Sequence, residues 1–352
     1  MAFFEPTARS LRQIEGCGDF DGSLDLSRLA RSTTADALAA FDPAHLRPLI
    51  QDLQKRCPDL RGADVDLDGI TRRIVAADGT YLTTLADVAW ALHHTKSNGK
   101  RQGQVRANVQ LDVAGWVPQV VSVSGDDGES EPAAFARDLL SGVLYVADRN
   151  FVDFTFIAAA LAKGNDLVLR VRGNAPAVRV LDSLVLTAQD AQAGVVADEL
   201  VELRGRDAPA GTFRLVTIVT PDRSGKAQTL RLLTNLADAA VVAAHVVGAA
   251  YRLRWQIELF FKWFKCWARM NHLLSTGRRG ITTQLYVAVI AVLLMHVQTG
   301  RRVSIYALAA LSRVARGEQT IQQAMEFLAR RERERDLARA RQAHRRQRKT
   351  LA

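Results

Sequence analysis

The spacing of hydrophobic and polar residues divides the chain into a helical beginning, a mixed middle and a helical end. Up to about residue 65, apolar residues recur at the three- and four-residue intervals of amphipathic helices. From residue 73 onwards, short alternating runs predict strands over 73–80, 105–111 and 116–123. The wholly apolar run 143–147 predicts a strand that is buried on both faces of a sheet.

Helical and strand-like patterns alternate after the third strand. Helices are predicted over 132–140 and 151–162, and a further strand over 166–171. The order of three strands, helix, strand, helix, strand indicates an α/β fold whose sheet starts antiparallel and finishes parallel. Residues 174–236 contain four short strand-like patterns separated by Gly, Pro and Asp turns, which predict a β-rich insertion.

Helical spacing returns at about residue 238, continues through Trp267 and recurs over 281–296. We therefore expect five regions along the chain. They are a helical N-terminal module (1–65), the first part of an α/β core (66–173), the β-rich insertion (174–236), the second part of the core (237–300) and a helical basic C-terminal region (301–352).

Composition narrows the class of protein. Hydrophobic residues make up 48% of the 352 residues and charged residues 24%, which is typical of a globular protein and excludes wholesale disorder. Three cysteines are too few for a disulfide framework, so we expect reduced thiols and a cytoplasmic protein. The first ten residues have no long apolar run, and the apolar stretch 285–297 is shorter than the roughly 20 residues that cross a bilayer. We expect no membrane association.

The net charge of +10 comes from 47 Lys and Arg against 37 Asp and Glu, and 39 of the basic residues are arginines. Arginine pairs bidentately with phosphate, so this bias favours a nucleic-acid partner, although a GC-rich genome explains it equally well. Residues 330–352 hold ten of the basic residues and three acidic ones. Such a segment is typical of a nonspecific backbone-binding arm or of a solvated helix.

The segment 251–265, YRLRWQIELFFKWFK, carries the most informative charges. At about 100° per residue, one side of a continuous helix presents Tyr251, Arg254, Glu258, Lys262 and Lys265. The other residues are so apolar that we expect a largely buried helix with Trp255 in the core. Burying these charges is unfavourable unless each has a partner or a ligand. The alternative is a half-exposed helix with i,i+4 pairs from Arg254 to Glu258 and from Glu258 to Lys262.

Two aspartates extend this candidate site. Asp78 closes the first predicted strand and Asp148 closes the buried one, and sites in open α/β sheets lie at strand ends. Together with Glu258 they offer oxygen ligands, which favour Mg²⁺ or Mn²⁺ over zinc. Taken singly, Asp78 before Gly79 is also an ordinary turn residue, and Asp148 an ordinary helix cap.

The spacing Tyr-x2-Arg-x3-Glu-x6-Lys resembles the Y-R-E-K signature of bacterial insertion-sequence transposases of the DDE type, family four. It is formed here by Tyr251, Arg254, Glu258 and Lys265. The segments AADGTYL, with Asp78, and YVADRNF, with Asp148, resemble that family's two catalytic-aspartate segments. The resemblance covers about residues 70–300. It implies a ribonuclease-H-like mixed-sheet core with the β-rich insertion before the Glu-bearing helix.

The resemblance also implies the chemistry. Asp78, Asp148 and Glu258 would be the catalytic triad and would bind two Mg²⁺ ions, for which Mn²⁺ can substitute. Tyr251, Arg254 and Lys265 would hold DNA phosphates near the scissile bond; Lys262 is added because it shares their helix face. The implied reactions are hydrolysis at the element ends and attack of the freed 3′-OH on target DNA, carried out by a dimer in a DNA synapse.

Two alternatives remain open at this point. One is a non-catalytic DNA-binding protein derived from a transposase, and the other is a structure-specific nuclease on the same core. The three acidic positions are intact, which favours an enzyme. We expect a bacterial cytoplasmic protein associated with the nucleoid.

Overall fold

The structure, a computed structural model, describes residues 11–16, 30–58, 67–84, 88–95, 99, 101–125, 128–173, 176–221, 225–266, 270, 272–300, 305–315 and 317–350. The described helices are α1 (Leu11–Gly16), α2 (Arg31–Ala40), α3 (Arg47–Arg56), α4 (Glu131–Ala136), α5 (Phe154–Ala162), α6 (Ala188–Gln192), α7 (Ala244–Arg252), α8 (Trp255–Cys266), α9 (Arg278–Thr299), α10 (Ile305–Ala315) and α11 (Ile321–Thr350).

The described strands form one mixed sheet. They are β1 (Ile74–Thr84), β2 (Leu92–Thr95), β3 (Arg101–Asp112), β4 (Val117–Ser124), β5 (Leu144–Ala147), β6 (Asp166–Arg170), β7 (Val178–Ser183), β8 (Val195–Leu203), β9 (Phe213–Pro221) and β10 (Ala227–Thr234). Their order is β2-β3-β1-β5-β6-β10-β9-β8-β7, with β4 also paired to β3.

The centre of the sheet has the predicted directions. β3 runs antiparallel to both β1 and β4, whereas β1 and β5 run parallel, as do β5 and β6. Every residue of β5 is buried, because helices cover both faces of the sheet there. The antiparallel start and parallel finish inferred from the element order are therefore confirmed.

The first strand is longer than predicted. The sequence suggested a turn at Asp78 and Gly79, but both residues stay in β1, where they pair with Val109 and Asn108 of β3. Only the parallel pairing with β5 ends nearby, at Ala77 and Ala147. Asp78 therefore lies in mid-strand, at the point where β1 separates from β5.

The β-rich region is present, but it is not a separate layer. Its strand β10 pairs antiparallel with β6, so β7 to β10 continue the core sheet. A buried ion pair joins β8 to β9, since Arg214 Nε donates to Asp198 Oδ1 at 2.6 Å. Arg214 Nη1 also donates to the carbonyl oxygen of Val242, in the segment before α7, at 2.6 Å. Both charged side chains are almost fully buried. Burial of an ion pair is tolerated when additional hydrogen bonds satisfy the two charged groups.

Helices pack on both faces of the sheet because β1 and β5 alternate their side chains between the two. Ala76 and Val146 belong to the same buried cluster as residues of α7, α8 and α9. Ala77 and Tyr145 belong to a second cluster with residues of α4 and α5. Asp78, next in alternation after Ala76, consequently points to the side of α8.

The terminal regions are helical where the structure describes them. Leu53 of α3 packs with Val289 and Leu293 of α9, so the N-terminal helices contact the core. Residues 1–10, 17–29 and 59–65 of the predicted N-terminal module lie outside the described residues. By length and composition α9 is apolar enough to cross a membrane, but 67% of its most apolar window is buried inside the protein. A helix in the core of a protein has the same length and apolar composition, and such a helix is buried.

Candidate active site

Asp78 and Asp148 start from neighbouring positions on adjacent parallel strands. The last parallel pair of β1 and β5 is Ala77 with Ala147, and each aspartate is the next residue. Neighbouring strands lie about 4.8 Å apart, so the two side chains leave the sheet close together. The backbone amide of Asn150 donates to Asp148 Oδ1 at 2.8 Å, so Asp148 caps the short 3₁₀ turn Arg149–Phe151, whereas the predicted helix that follows, α5, is capped by Asp153.

Arg254 connects Asp78 with Glu258. Its Nη1 lies 3.5 Å from Asp78 Oδ2, and its Nη2 donates to Glu258 Oε1. Arg254 is mostly buried, with 16% of its side chain exposed. The predicted i,i+4 pair of Arg254 and Glu258 is present, and the same guanidinium also reaches an aspartate 176 residues away in the chain. The structure thus brings two of the three candidate acids to one cation.

The helix that carries these residues is interrupted. The sequence predicted one continuous helix through Trp267, but α7 ends at Arg252 and α8 begins at Trp255. At the break, the amides of Leu253 and Arg254 donate to carbonyls three residues earlier, which is the tighter spacing of a 3₁₀ turn. The single helical wheel drawn across 251–265 is therefore wrong.

Tyr251 lies in the last turn of α7 and is 8% exposed. The guanidinium carbon of Arg254 lies 5.9 Å from the centre of its ring, within the range of a cation–π contact. Burial raises the pKa of the Tyr251 hydroxyl, opposed by the charges of Arg254 and Arg170. The ring of Tyr251 therefore contacts the guanidinium of Arg254, and the hydroxyl of Tyr251 stays protonated.

One side of α8 is open to solvent. Trp255 is 50% exposed and Leu259 is 37% exposed, on the same side as Lys262, which is also exposed. The prediction that Trp255 lies in the core is wrong; the buried side of α8 is formed instead by Ile257, Phe260, Phe261, Trp263 and Phe264. Lys265 is half-buried and follows Glu258 by two turns.

The carboxylates of Asp78, Asp148 and Glu131 repel one another electrostatically. Burial and the nearby charges of Glu131 and Asp148 raise the pKa of Asp78 to about 7, and these effects outweigh the opposing charge of Arg254. A second positive charge near Asp78 would relieve this repulsion, since an opposite charge favours the ionised form of a carboxyl group.

Glu131 is the acidic residue that the sequence interpretation missed. It is the first residue of α4, preceded by Ser130, whose hydroxyl accepts from the amide of Ala133. An acidic residue in the first turn after a serine cap is ordinary in a helix, so nothing local distinguishes it. Burial raises the pKa of Glu131, opposed first by Arg106, and Asp148 raises it further.

A small cavity opens beside Asp148. Its volume is about 250 Å³, and it is lined by Arg149, Asn150, Val152, Phe154, Arg172 and Pro176. Two arginines and an aromatic ring line this cavity, and arginine is the side chain that pairs bidentately with phosphate.

Comparison with known sequences decides the family. The sequence model of the transposase DDE domain matches residues 69–294, a range that contains Asp78, Asp148 and Glu258. The chain belongs to this family.

Other transposase-family proteins are similar over part of the chain. The protein y4zB of Sinorhizobium fredii, named as a transposase, is 26% identical over 206 residues, which are 57% of this chain and 55% of that protein. The protein of Geobacillus stearothermophilus named as the transposase for insertion sequence element IS5377 is 22% identical over 58% of this chain and 51% of its own length. The chain thus aligns with about half the length of these curated relatives.

One solved structure has a distant similarity to this chain. A cryo-EM structure of the piggyBac transposase synaptic complex with hairpin DNA matches 73% of this chain and 57% of that chain, at 11% identity and a TM-score of 0.36.

Among the residues that the structure describes, no three His, Cys, Asp or Glu side chains stand close enough to hold one ion as they are arranged. The chemistry of the site of this DDE-domain protein nevertheless fits a hard divalent cation. Its donors are carboxylate oxygens, the ligands that hard divalent cations prefer, and burial together with the charges of Glu131 and Asp148 raises the pKa of Asp78. An ion held by Asp78 and Glu258 would have to displace Arg254 from between them.

Proposed function

We propose that the protein is a DNA transposase of the Y-R-E-K type, which cuts DNA strands at the ends of an insertion element and joins them to target DNA. The observation that carries the proposal is the junction of Asp78, Arg254 and Glu258 at the point where β1 separates from β5. The DDE-domain match over 69–294 supports it. The strand order β4-β3-β1-β5-β6 supports a ribonuclease-H-like core.

The catalytic acids of the proposal are Asp78, Asp148 and Glu258. They would hold two Mg²⁺ ions, or Mn²⁺ in their place, which when bound supply an activated water or 3′ hydroxyl and stabilise charge on the phosphate. Asp78 and Asp148 are held in defined positions because each directly follows the last residue of the parallel pairing between β1 and β5. Glu258 comes from the opposite side on α8, whose position is fixed by its buried aromatic side chains.

The cations of the site would act on DNA phosphates. Arg254, which contacts both Asp78 and Glu258, would pair through its guanidinium with a DNA phosphate near the scissile bond. Tyr251 supports that guanidinium, while Lys262 and Lys265 extend the positive side of α8 away from the acids. Arginine and lysine suit this role because they neutralise backbone phosphates without reading sequence.

The proposal further includes a dimer that holds two element ends in a synapse, and a bacterial cytoplasmic protein associated with the nucleoid. Two cleavage sites on one element require two active sites to act together. The basic helix α11 would contribute nonspecific affinity for the DNA backbone.

The test is incubation of the full-length protein with supercoiled plasmid carrying the inverted repeats that flank its gene, with and without Mg²⁺. Mg²⁺-dependent nicking followed by strand-transfer products is expected. Binding without nicking would instead identify a non-catalytic DNA-binding protein. Nicking without joined products would identify a structure-specific nuclease on the same core.

Lys265→Ala is expected to weaken binding to DNA that carries the cleavage site and to flatten the salt dependence of binding. Each lost phosphate contact lowers the slope of log K against log salt by about 0.9. The measurement is DNA affinity over a range of salt concentrations. Lys163→Ala is the matched control, because Lys163 donates to the carbonyl of Leu139 and precedes the first residue of β6, whereas Asp148 follows the last residue of the neighbouring parallel strand β5. An unchanged slope for Lys265→Ala would argue against a phosphate contact.

A further inference from the structure

A fourth carboxylate, that of Glu131, approaches the two aspartates of the site. We propose that Glu131 is an additional acidic residue of the divalent-cation site, acting on an ion held by Asp78 and Asp148. The inference rests on the proposed function, because it assumes the ion. Neither the Tyr-Arg-Glu-Lys motif nor the segments around Asp78 and Asp148 include Glu131.

The first supporting contact is with Gly79, the residue after Asp78. A Cβ atom at position 79 would lie 2.4 Å from Glu131 Oε1 and 2.9 Å from Cδ of Arg106. The carboxylate therefore occupies the space that any other side chain would fill. The amide of Gly79 donates to Asp78 Oδ1 at 2.8 Å and also interacts with the carboxylate of Glu131. Glycine at this position thus leaves room for the Glu131 carboxylate beside the residue that follows Asp78.

The second supporting contact is with Asn150, two residues after Asp148. The Asn150 backbone amide donates to Asp148 Oδ1 at 2.8 Å, and its side-chain Nδ2 lies 3.5 Å from Glu131 Oε2. Asn150 consequently links Glu131 to the second aspartate as Gly79 links it to the first. Two independent contacts, one with Gly79 of β1 and one with Asn150 in the 3₁₀ turn after β5, direct the same carboxylate to the same place.

The third observation is the direction of approach. Glu131 begins α4, whose Phe135 packs in the cluster with Ala77, whereas α8 packs through Phe260 on the opposite face of the sheet. Glu131 and Glu258 therefore reach the aspartates from opposite faces. An ion between the strand ends would meet carboxylates on both sides, which suits the six oxygen ligands that Mg²⁺ prefers.

Arg106 offers a purely structural explanation for Glu131. This buried arginine donates through Nε to Asn108 Oδ1 at 2.8 Å, and its charge lowers the pKa of Glu131. If Glu131 served only to balance Arg106, its loss would lower the thermal stability of the protein and leave ion affinity unchanged. Ion affinity measured apart from activity therefore separates the two roles.

The experiment measures Mn²⁺ binding to the full-length protein, by calorimetry or by the electron paramagnetic resonance of the free ion, without DNA. Glu131→Gln should weaken Mn²⁺ binding about 10-fold or more, the scale typical of lost supporting groups at metal sites. Glu129→Gln is the matched control: it removes the same charge two residues earlier, where Glu129 pairs with Arg137 at 2.9 Å. The control should keep the wild-type Mn²⁺ affinity.

Two further variants keep the test decisive if Glu131→Gln folds poorly. Glu131→Asp retains the charge and should recover part of the affinity. Gly79→Ala retains Glu131 but displaces its carboxylate, because the new methyl group would occupy the position of Oε1. It should weaken Mn²⁺ binding as Glu131→Gln does.

Wild-type Mn²⁺ affinity in folded Glu131→Gln or Gly79→Ala would overturn the inference, with or without a lower melting temperature. Asp148→Asn distinguishes this failure from failure of the proposed function. If Asp148→Asn loses Mn²⁺ binding while Glu131→Gln keeps it, the site stands and Glu131 is structural. If wild type itself neither binds Mn²⁺ nor nicks DNA, both the inference and the proposed function fail.

Discussion

Glu258→Gln is expected to abolish Mg²⁺-dependent nicking while DNA binding survives. The amide oxygen of glutamine can still accept from Arg254 Nη2, so the local packing of α8 is kept and only the negative charge is lost. A metal ion contributes several kcal/mol of charge stabilisation in the transition state, so loss of its ligand predicts a decrease in rate of at least about 10³-fold. Nicking rates and DNA affinity, measured on the same preparation, check this.

Glu202→Gln is the matched control for Glu258→Gln. Glu202 lies on β8, far from β1 in the strand order, and pairs with Arg179 of β7 and with Arg204. It therefore carries the same charge as Glu258 in a comparable ion pair. This variant should nick DNA at the wild-type rate. Parallel loss of folding and DNA binding in Glu258→Gln would show that the glutamate is structural and would refute its assigned role.

The strands of the core could be predicted because each is determined by its own residues. The run 143–147 is apolar throughout and becomes the buried β5, and the four patterns within 174–236 become β7 to β10. The hydrophobic patterns do not indicate which strands pair when the strands are far apart in the chain. Whether β10 would stand apart or join β6 depends on long-range hydrogen bonds, and local alternation is the same in both cases.

The site was predictable in part for a related reason. The sequence predicted Asp78 and Glu258 as site residues through their spacing and through the family resemblance, and in the structure Arg254 contacts both of them. The break at Leu253 and Arg254 was not predicted, since both residues are compatible with a helix and no Gly or Pro marks the change. Glu131 was not predicted because its importance arises from Gly79 and Asn150, which belong to other segments.

Asp78→Asn is expected to produce two large effects of opposite sign. Nicking should fall by at least about 10³-fold for the reason given for Glu258. At pH 8 and without divalent ions, however, the variant should be more stable than the wild type. The cause is the raised pKa of Asp78, about 7 in the folded protein against 3.8 in the unfolded chain.

The sign of the stability effect follows from proton binding. Between about pH 4 and pH 7 the folded protein keeps a proton on Asp78 that the unfolded chain has released, so the folded state binds more protons and loses stability as the pH rises. At 1.36 kcal/mol for each pH unit the loss is at most about 4 kcal/mol, and it is complete above about pH 7. Asparagine does not titrate, so the variant should avoid this loss.

Melting temperatures from pH 4 to pH 8 measure this difference. Asp78→Asn should melt several degrees above the wild type at pH 8, and the two curves should converge towards pH 4. Asp182→Asn, an exposed carboxylate on β7, should follow the wild type throughout. Adding Mg²⁺ at pH 8 should raise the wild-type melting temperature and leave Asp78→Asn unchanged, because an ion stabilises only the folded state that binds it. Identical curves for Asp78→Asn and wild type, with and without Mg²⁺, would mean that Asp78 neither experiences the charges of its neighbours nor holds an ion.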